Sequence, residues 1–199
     1  MIRDLDKTIE KLVKKNISGD LVPPKLNISF DRPDEKFKNY PAVNFFLYEV
    51  GENLELRTSR TLLPVGRNGE GKDKGLFKPH PPARVNFSYL VTAWSKGDDP
   101  LDEHYILGET MKTLLLYRTL PKNVLKGVLK DIRPLPVTAV LQPGSVKSPG
   151  EFWQAMGGKP RPALNYTVTL DVDVSQTREL PLVRKMDLAA EPVDSALNR

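Results

Sequence analysis

The chain has 199 residues and no cysteine, which excludes disulfides, thiolate metal sites and thiol nucleophiles together. It has no apolar run near the ~20 residues that cross a bilayer, so we expect no membrane span. Its first residues, MIRDLDKTIEKL, are charged and do not contain the apolar segment of a signal peptide. We therefore expect a soluble protein that is cytoplasmic when it is made.

The chain also has no long block of charge of one sign. Its 30 lysine and arginine residues are interleaved with 25 aspartate and glutamate residues, as Lys7, Glu10 and Lys11 illustrate. Proteins that bind nucleic acid usually concentrate their positive charge in a patch or stripe. The mixed pattern is typical of a solvated surface and predicts no nucleic-acid partner.

Hydrophobic periodicity predicts an α+β fold. We expect three helices. The first spans residues 2–15, the second is capped by Asp99 and runs to Leu115, and the third spans residues 151–156 and is ended by glycine. Strands are predicted at 26–30, 42–50, 54–58, 84–94, 137–141 and 164–174. The fold class is a mixed, mainly antiparallel sheet, flanked by the N-terminal helix and the central amphipathic helix.

The domain organisation follows from where this periodicity stops. Residues 1–174 are predicted to form one domain, and residues 175–199 a C-terminal arm without a clear period. Inside the domain, residues 59–82 are rich in glycine and proline and are predicted to form a long surface loop. A loop of this length in a compact domain is usually functional or disordered.

The central helix contains a glycine and a histidine whose positions need an explanation. We expect an inward stripe of Leu107, Gly108, Met111, Leu114 and Leu115, with His104 on the same side as a hydrogen-bonded core residue. Glycine in a helix costs about 1 kcal/mol relative to alanine, so close approach of the helix to the sheet is the predicted reason for it.

Two segments resemble catalytic or binding motifs. Residues 66–73 fit the letters of a phosphate-binding loop, but Asp73 replaces the hydroxyl residue that holds Mg²⁺, and prolines follow instead of a helix. The two histidines, His80 and His104, would need each other and a carboxylate to form a metal site. We therefore predict no cofactor, no metal site and no catalytic residues, and an enzyme is the minority interpretation.

Aromatic residues are frequent on the predicted strands. Core packing is the expected role of these residues, which are Phe45, Phe46, Tyr48, Phe87, Tyr89 and Tyr166. Trp94 and Trp153 lie near the ends of their elements, and we expect them to be partly exposed interface anchors. The strand at 164–174 alternates apolar and polar residues, which predicts that one of its faces is wet.

Two sequence blocks resemble the N-terminal domain of the cap, or tail-terminator, proteins of contractile injection systems. The first is PPARVNFSYLVTAWSKGDDPLDEHYILGETMKTLL at 81–115, and the second is EFWQAMGGKPRPALNYTVTLDVDV at 151–174. The opening helix and the strand VNFFLY at 43–48 extend the resemblance over most of the chain. It implies a tail-terminator-like fold and a structural cap that ends the growth of a tube and a sheath.

The resemblance also implies partners. A hexameric ring of identical subunits, bound to the sheath protein and the inner tube protein, is expected, and the protein would become part of the injection particle. The candidate interface residues are Arg67, Lys72, Lys74, Phe77, Trp94, Trp153, Arg178, Leu182 and Arg184. A monomeric adaptor of a phage-like neck or baseplate is the alternative.

Overall fold

A computed structural model gives the architecture of the chain. It describes residues 1–20, 22–33, 40–56, 76–78, 82–97, 99–131, 138–141, 149–174 and 178–180. The helices are α1 (Ile2–Asn16), α2 (Pro100–Leu116) and α3 (Pro149–Met156), with a short 3-10 helix at Gly127–Lys130. The strands are β1 (Asn27–Ser29), β2 (Ala42–Glu52), β3 (Leu76–Lys78), β4 (Ala83–Trp94), β5 (Thr138–Leu141), β6 (Ala163–Val172) and β7 (Arg178–Leu180).

Contacts divide the chain into two compact units. The first consists of Met1–Arg57 and Pro82–Asp173, and it contains a five-stranded sheet of order β1-β2-β4-β6-β5. β1 is parallel to β2, and all other neighbours in this sheet are antiparallel. The fold is therefore α+β with a mixed, mainly antiparallel sheet, as the periodicity predicted.

The second unit consists of Thr58–Pro81 and Val174–Arg199. Its described part is a two-stranded antiparallel sheet in which β3 pairs with β7, with Phe77 opposite Glu179. The glycine-rich and proline-rich segment and the C-terminal segment, which the sequence presents as separate features, are thus hydrogen-bonded to each other.

The core of the first unit lies between one face of the sheet and the two long helices. α1 contributes the buried side chains Leu5, Ile9, Leu12 and Val13, which confirms the predicted amphipathic helix. The sheet contributes a cluster of aromatic rings with edge-to-face contacts, Phe45 with Tyr89 and Phe45 with Tyr166. On the opposite face of the sheet, the Phe46 ring contacts Phe152 of α3, with 6.4 Å between centroids.

One hydrogen bond to a carboxylate joins α1 to the middle of the sheet. The Tyr89 hydroxyl donates to the Asp6 carboxylate at 2.8 Å. Partial burial raises the pKa of the Asp6 carboxyl, and the hydrogen bond from Tyr89 opposes this rise. Burial next to Asp6 also raises the pKa of the Tyr89 phenol. This polar contact holds α1 against the sheet in addition to the apolar packing.

The inward face of α2 differs from the prediction. Met111 and Leu115 are exposed, while Thr110 and Thr113 are buried. The threonine hydroxyls donate to carbonyl oxygens four residues earlier, those of Ile106 and Glu109, at 2.8 and 2.9 Å. A threonine that satisfies its hydroxyl in this way can bury its methyl group at little cost. Because α2 is apolar on more than one side, the sequence does not determine which side faces the sheet.

One further prediction about a strand is wrong, and another is confirmed only in part. Asn53 to Leu56 form a turn and do not begin a strand that pairs back with β2, and β2 instead lies between β1 and β4. The face of β6 that was predicted to be wet includes Thr167, whose exposed fraction is 6%. Its hydroxyl lies 3.3 Å from that of Ser88 on β4, so the polar side chains on this face satisfy each other across the strands.

Candidate interaction surfaces

The predicted interface residues fall into three groups. Arg67, Lys72, Lys74, Leu182 and Arg184 lie outside the described residues. Phe77 and Arg178 lie on β3 and β7, and Lys78 is the partner opposite Arg178. The structure therefore brings two of the predicted segments together in one antiparallel pair. Trp94 and Trp153 form the third group.

The expectation that Trp94 and Trp153 are partly exposed is wrong. Each side chain has an exposed fraction of only 3%. The Trp94 indole nitrogen donates to the Thr92 hydroxyl at 2.9 Å, so this ring is buried with its one polar group satisfied. The Trp153 ring packs edge-to-face on Phe152 and closely against the backbone at Gly158. Both rings are structural in the isolated subunit because their surfaces are already covered.

The Trp94 ring belongs to a buried charged cluster that the sequence analysis missed. The guanidinium carbon of Arg161 lies 3.9 Å from the centre of the Trp94 ring. The same guanidinium donates to the Glu103 carboxylate at 2.5 Å, and both side chains are mostly buried. Glu103 also accepts a hydrogen bond from the backbone nitrogen of Ser95. This cluster binds the start of α2 to the segment that leads into β6.

The cluster joins the two sequence blocks. Trp94 and Glu103 come from the block at 81–115, and Arg161 comes from the block at 151–174. A buried ion pair is costly unless both partners are present and hydrogen-bonded, so the two blocks depend on each other. The sequence signal was Arg161 between two prolines, which hold the backbone extended near it.

The outward face of α2 is the largest apolar feature that the described helices expose. Leu101, Met111, Leu115 and Leu116 are all exposed, Leu116 to 74%. His104 is exposed on the same helix, so the prediction of a core histidine is wrong. The buried stripe passes through Ile106 instead. Exposed leucines that recur along one helix mark an interaction surface more often than isolated ones do.

Gly108 lies within this outward face. A Cβ atom built on Gly108 meets nothing within 4 Å apart from its chain neighbours and the backbone of its own helix, so the sheet is not close to it and the predicted reason for this glycine is wrong. Its backbone is helical and needs no positive φ, and alanine would be more stable there by about 1 kcal/mol. Within the described chain, no contact accounts for the glycine. Close approach of another molecule to α2 would account for it.

The candidate catalytic motifs lie mostly outside the described residues, since these do not include residues 66–73 or His80. Among the residues that are described, no group of three or more histidine, aspartate or glutamate side chains is arranged to hold a metal ion. Over the same residues, no helix is both long and apolar enough to cross a membrane.

Comparison with known proteins gives the family. The sequence matches the family model of the Pvc16 N-terminal domain over residues 4–185. The chain belongs to the Pvc16 N-terminal domain family. This confirms the resemblance inferred from the blocks at 81–115 and 151–174, both of which lie in the matched region. No curated protein matches the chain significantly.

Two cryo-EM structures are similar to this member of the family. The sheath/tube terminator of PVC, an extracellular contractile injection system, in its extended state has the same fold, with a TM-score of 0.61, 24% identity and 98% of this chain covered. The anti-feeding prophage cap, a tube-terminating cap, has a TM-score of 0.62 and 27% identity, with 96% of this chain covered. The chain spans 65% and 62% of the lengths of these two proteins.

Proposed function

We propose that this Pvc16 N-terminal domain chain is the structural cap of a contractile injection system, where it ends the growth of tube and sheath. The observation that carries the proposal is its likeness to the anti-feeding prophage cap, with 27% identity over 96% of this chain. On this proposal the chain is no enzyme and needs no cofactor. It is made in the cytoplasm and then becomes part of the injection particle.

The proposed assembly is a hexameric ring that contacts the sheath protein and the inner tube protein. A closed ring uses head-to-tail contacts, in which two different patches of each subunit meet. The first compact unit exposes two apolar patches that fit this requirement. One is the outward face of α2, and the other is the end of β2 with the turn that follows it, which exposes Val50, Leu54 and Leu56. We propose that these two patches meet in neighbouring subunits.

We assign different roles in the assembly to the domain and to the C-terminal arm. Residues 1–174, apart from the segment 59–82, form the body of the ring, and residues 175–199 form an arm that reaches a neighbour or the sheath. The pairing of β3 with β7 supports treating the segment and the arm as one contact element. Proteins commonly extend such an element to add strands to a partner's sheet. Phe77 and Arg178 are the proposed contact residues of this element.

The test is electron microscopy of injection particles from cells with and without the chain. Sheaths of uncontrolled length, or particles without an end cap, are expected when the chain is absent. The mass of the purified protein, alone and bound to the particle end, should correspond to six subunits. Capped particles of normal length in its absence would contradict the proposal, and the monomeric adaptor would then explain the protein better.

A further inference from the structure

An open groove lies between α1 and the 3-10 helix at Gly127–Lys130. It has a volume of about 760 Å³. Five lysines and two carboxylates line it among the described residues, and these lining residues are Asp4, Lys7, Glu10, Lys11, Lys14, Lys15, Lys126 and Gly127. Apart from the adjacent Lys14 and Lys15, these lysines are separated from one another in the sequence by other residues. The helix and the folded-back 3-10 turn concentrate them on one surface.

The groove is held in shape by contacts that do not depend on a ligand. The Thr8 hydroxyl accepts a hydrogen bond from the backbone nitrogen of Lys126 at 3.0 Å. The Lys11 ammonium donates to the carbonyl oxygen of Asn123 at 2.6 Å. Gly127 has a φ of 51°, and a Cβ there would lie 2.3 Å from the Asp4 carboxylate. Glycine at this position therefore lets the wall of the groove approach α1 closely.

Much of the positive charge in the groove is not neutralised by the residues that the structure describes. Lys14 forms an ion pair with Glu10 at 2.6 Å, and Lys11 is held by a backbone carbonyl. Lys7, Lys15 and Lys126 have no ion-pair partner in the part of the chain that the structure describes. Three ammonium groups at the edges of a preformed groove favour an anionic ligand by charge complementarity.

The spacing of the lysines indicates the shape of that ligand. Lys7, Lys11 and Lys15 recur every four residues, which is a rise of about 6 Å along the helix for each step. Alternate side chains of an extended strand repeat at about 6.8 Å and point to the same side. An extended peptide with a carboxylate at every second residue therefore places its charges close to successive lysines of α1.

The composition of the groove favours a polypeptide over a nucleic acid. Sites for single-stranded nucleic acid combine positive charge with aromatic side chains on which bases stack, and arginine is frequent in them. Among the described residues that line this groove there is neither an aromatic residue nor an arginine, and Asp4 and Glu10 reduce its attraction for a dense polyanion. We propose that the groove binds an acidic, extended segment of a protein partner. Binding of an acidic segment does not depend on the proposed function. That the partner is a protein of the injection particle rests on the proposed function.

The test measures binding of a labelled peptide with four Ser-Glu repeats to the full chain by fluorescence anisotropy. A Ser-Gln repeat peptide, an oligothymidylate of equal charge and phosphatidylserine vesicles serve as comparison ligands. The groove variant is Lys7→Ala, Lys15→Ala, Lys126→Ala. The matched control changes three exposed lysines outside the groove and is Lys25→Ala, Lys96→Ala, Lys159→Ala.

The acidic peptide is expected to bind the unchanged chain and to dissociate as salt is added. The groove variant should bind about tenfold more weakly, because it lacks three ion pairs, while the control should stay within about twofold. Equal losses in both variants, or no binding of the acidic peptide, would overturn the proposal. Tighter binding of the oligothymidylate or of the vesicles would overturn it in favour of those ligands.

These outcomes are separate from the test of the cap function. If particles without the chain keep normal length, the proposed function fails, while peptide binding to the groove is unaffected. If both variants lose peptide binding equally, the groove proposal fails, while the cap function still depends only on the images of particle ends.

Discussion

The guanidinium of Arg161 lies over the ring of Trp94, 3.9 Å from its centre, and at the same time pairs with the Glu103 carboxylate. Arg161→Leu should lower the free energy of unfolding by about 3–5 kcal/mol, because it leaves the carboxylate buried and uncompensated. Urea unfolding followed by circular dichroism measures this loss. Glu103→Gln alone should also be costly.

The double variant Arg161→Leu, Glu103→Leu distinguishes a buried ion pair from simple packing. It should be more stable than Arg161→Leu alone, since no charge then remains without its partner. Additive losses in the double variant would show that the two side chains act independently, and would contradict this account of the cluster.

Gly108 and Gly127 should respond in opposite ways to alanine. Gly108→Ala should stabilise the isolated subunit by about 1 kcal/mol, because the added methyl meets nothing within 4 Å and alanine favours the helix. Gly127→Ala should destabilise it, since the methyl would collide with the Asp4 carboxylate. Thermal unfolding of the two purified variants provides the comparison. A destabilised Gly108→Ala would contradict the open space around that residue.

A larger side chain at Gly108 should affect assembly rather than the stability of the subunit. If the outward face of α2 contacts a neighbouring subunit, Gly108→Leu should reduce oligomer formation while leaving the subunit folded. Analytical ultracentrifugation of the variant, with Gly108→Ala as the smaller control, measures this effect. Normal assembly of Gly108→Leu would show that nothing approaches α2 closely at this point.

Substitutions of the exposed leucines of α2 test the same face in a second way. Leu101→Gln and Leu116→Gln should change the unfolding free energy by at most about 0.5 kcal/mol, because both side chains are exposed. They should nevertheless weaken assembly. Leu114→Gln is the matched control on the buried side of the same helix, and we expect it to cost at least about 2 kcal/mol. Equal losses of stability on both sides would contradict the observed orientation of α2.

The contact between Asp6 and Tyr89 should make stability depend on pH. The pKa of Asp6 is higher in the folded chain than its ordinary 3.8, so the folded state holds the proton more tightly than the unfolded state. Stability therefore falls as pH rises from about 3.8 through the raised pKa. Asp6→Asn should remove this decrease and keep an acceptor for the Tyr89 hydroxyl.

Urea midpoints measured across the acidic range provide the test of this contact. Tyr89→Phe is the complementary variant, and we expect it to cost about 1–3 kcal/mol at neutral pH because it removes the donor to a charged group. Asp171 also has a raised pKa from burial, which the Arg84 charge opposes, so Asp6→Asn should flatten only part of the dependence. An identical pH profile for Asp6→Asn and the unchanged chain would contradict this assignment.

Removal of residues 175–199 should separate folding from assembly. β7 would be lost and β3 would lose its partner, whereas the five-stranded sheet lies wholly in the first compact unit. The shortened chain should keep the circular dichroism signal of a folded α+β domain and should bind particle ends more weakly. Normal capping by the shortened chain would contradict a contact role for the arm.

The sequence by itself determined the elements of α1, β4 and β6, because their apolar residues repeat with the period of one secondary structure. It also determined the α+β class and, through two blocks of residues, the family. α2 shows where periodicity is insufficient. It carries apolar residues on two sides, so its orientation was decided by threonines that satisfy their hydroxyls within the helix, and these have no apolar signal in the sequence.

Contacts between distant residues were decided only by the tertiary structure. The pairing of Arg161 with Glu103, and the position of Lys126 beside the lysines of α1, join residues far apart in the chain. A mixed-charge sequence can therefore produce a strongly basic groove. Charge alternation along the chain describes neighbours in sequence, whereas the field that a ligand meets depends on neighbours in space.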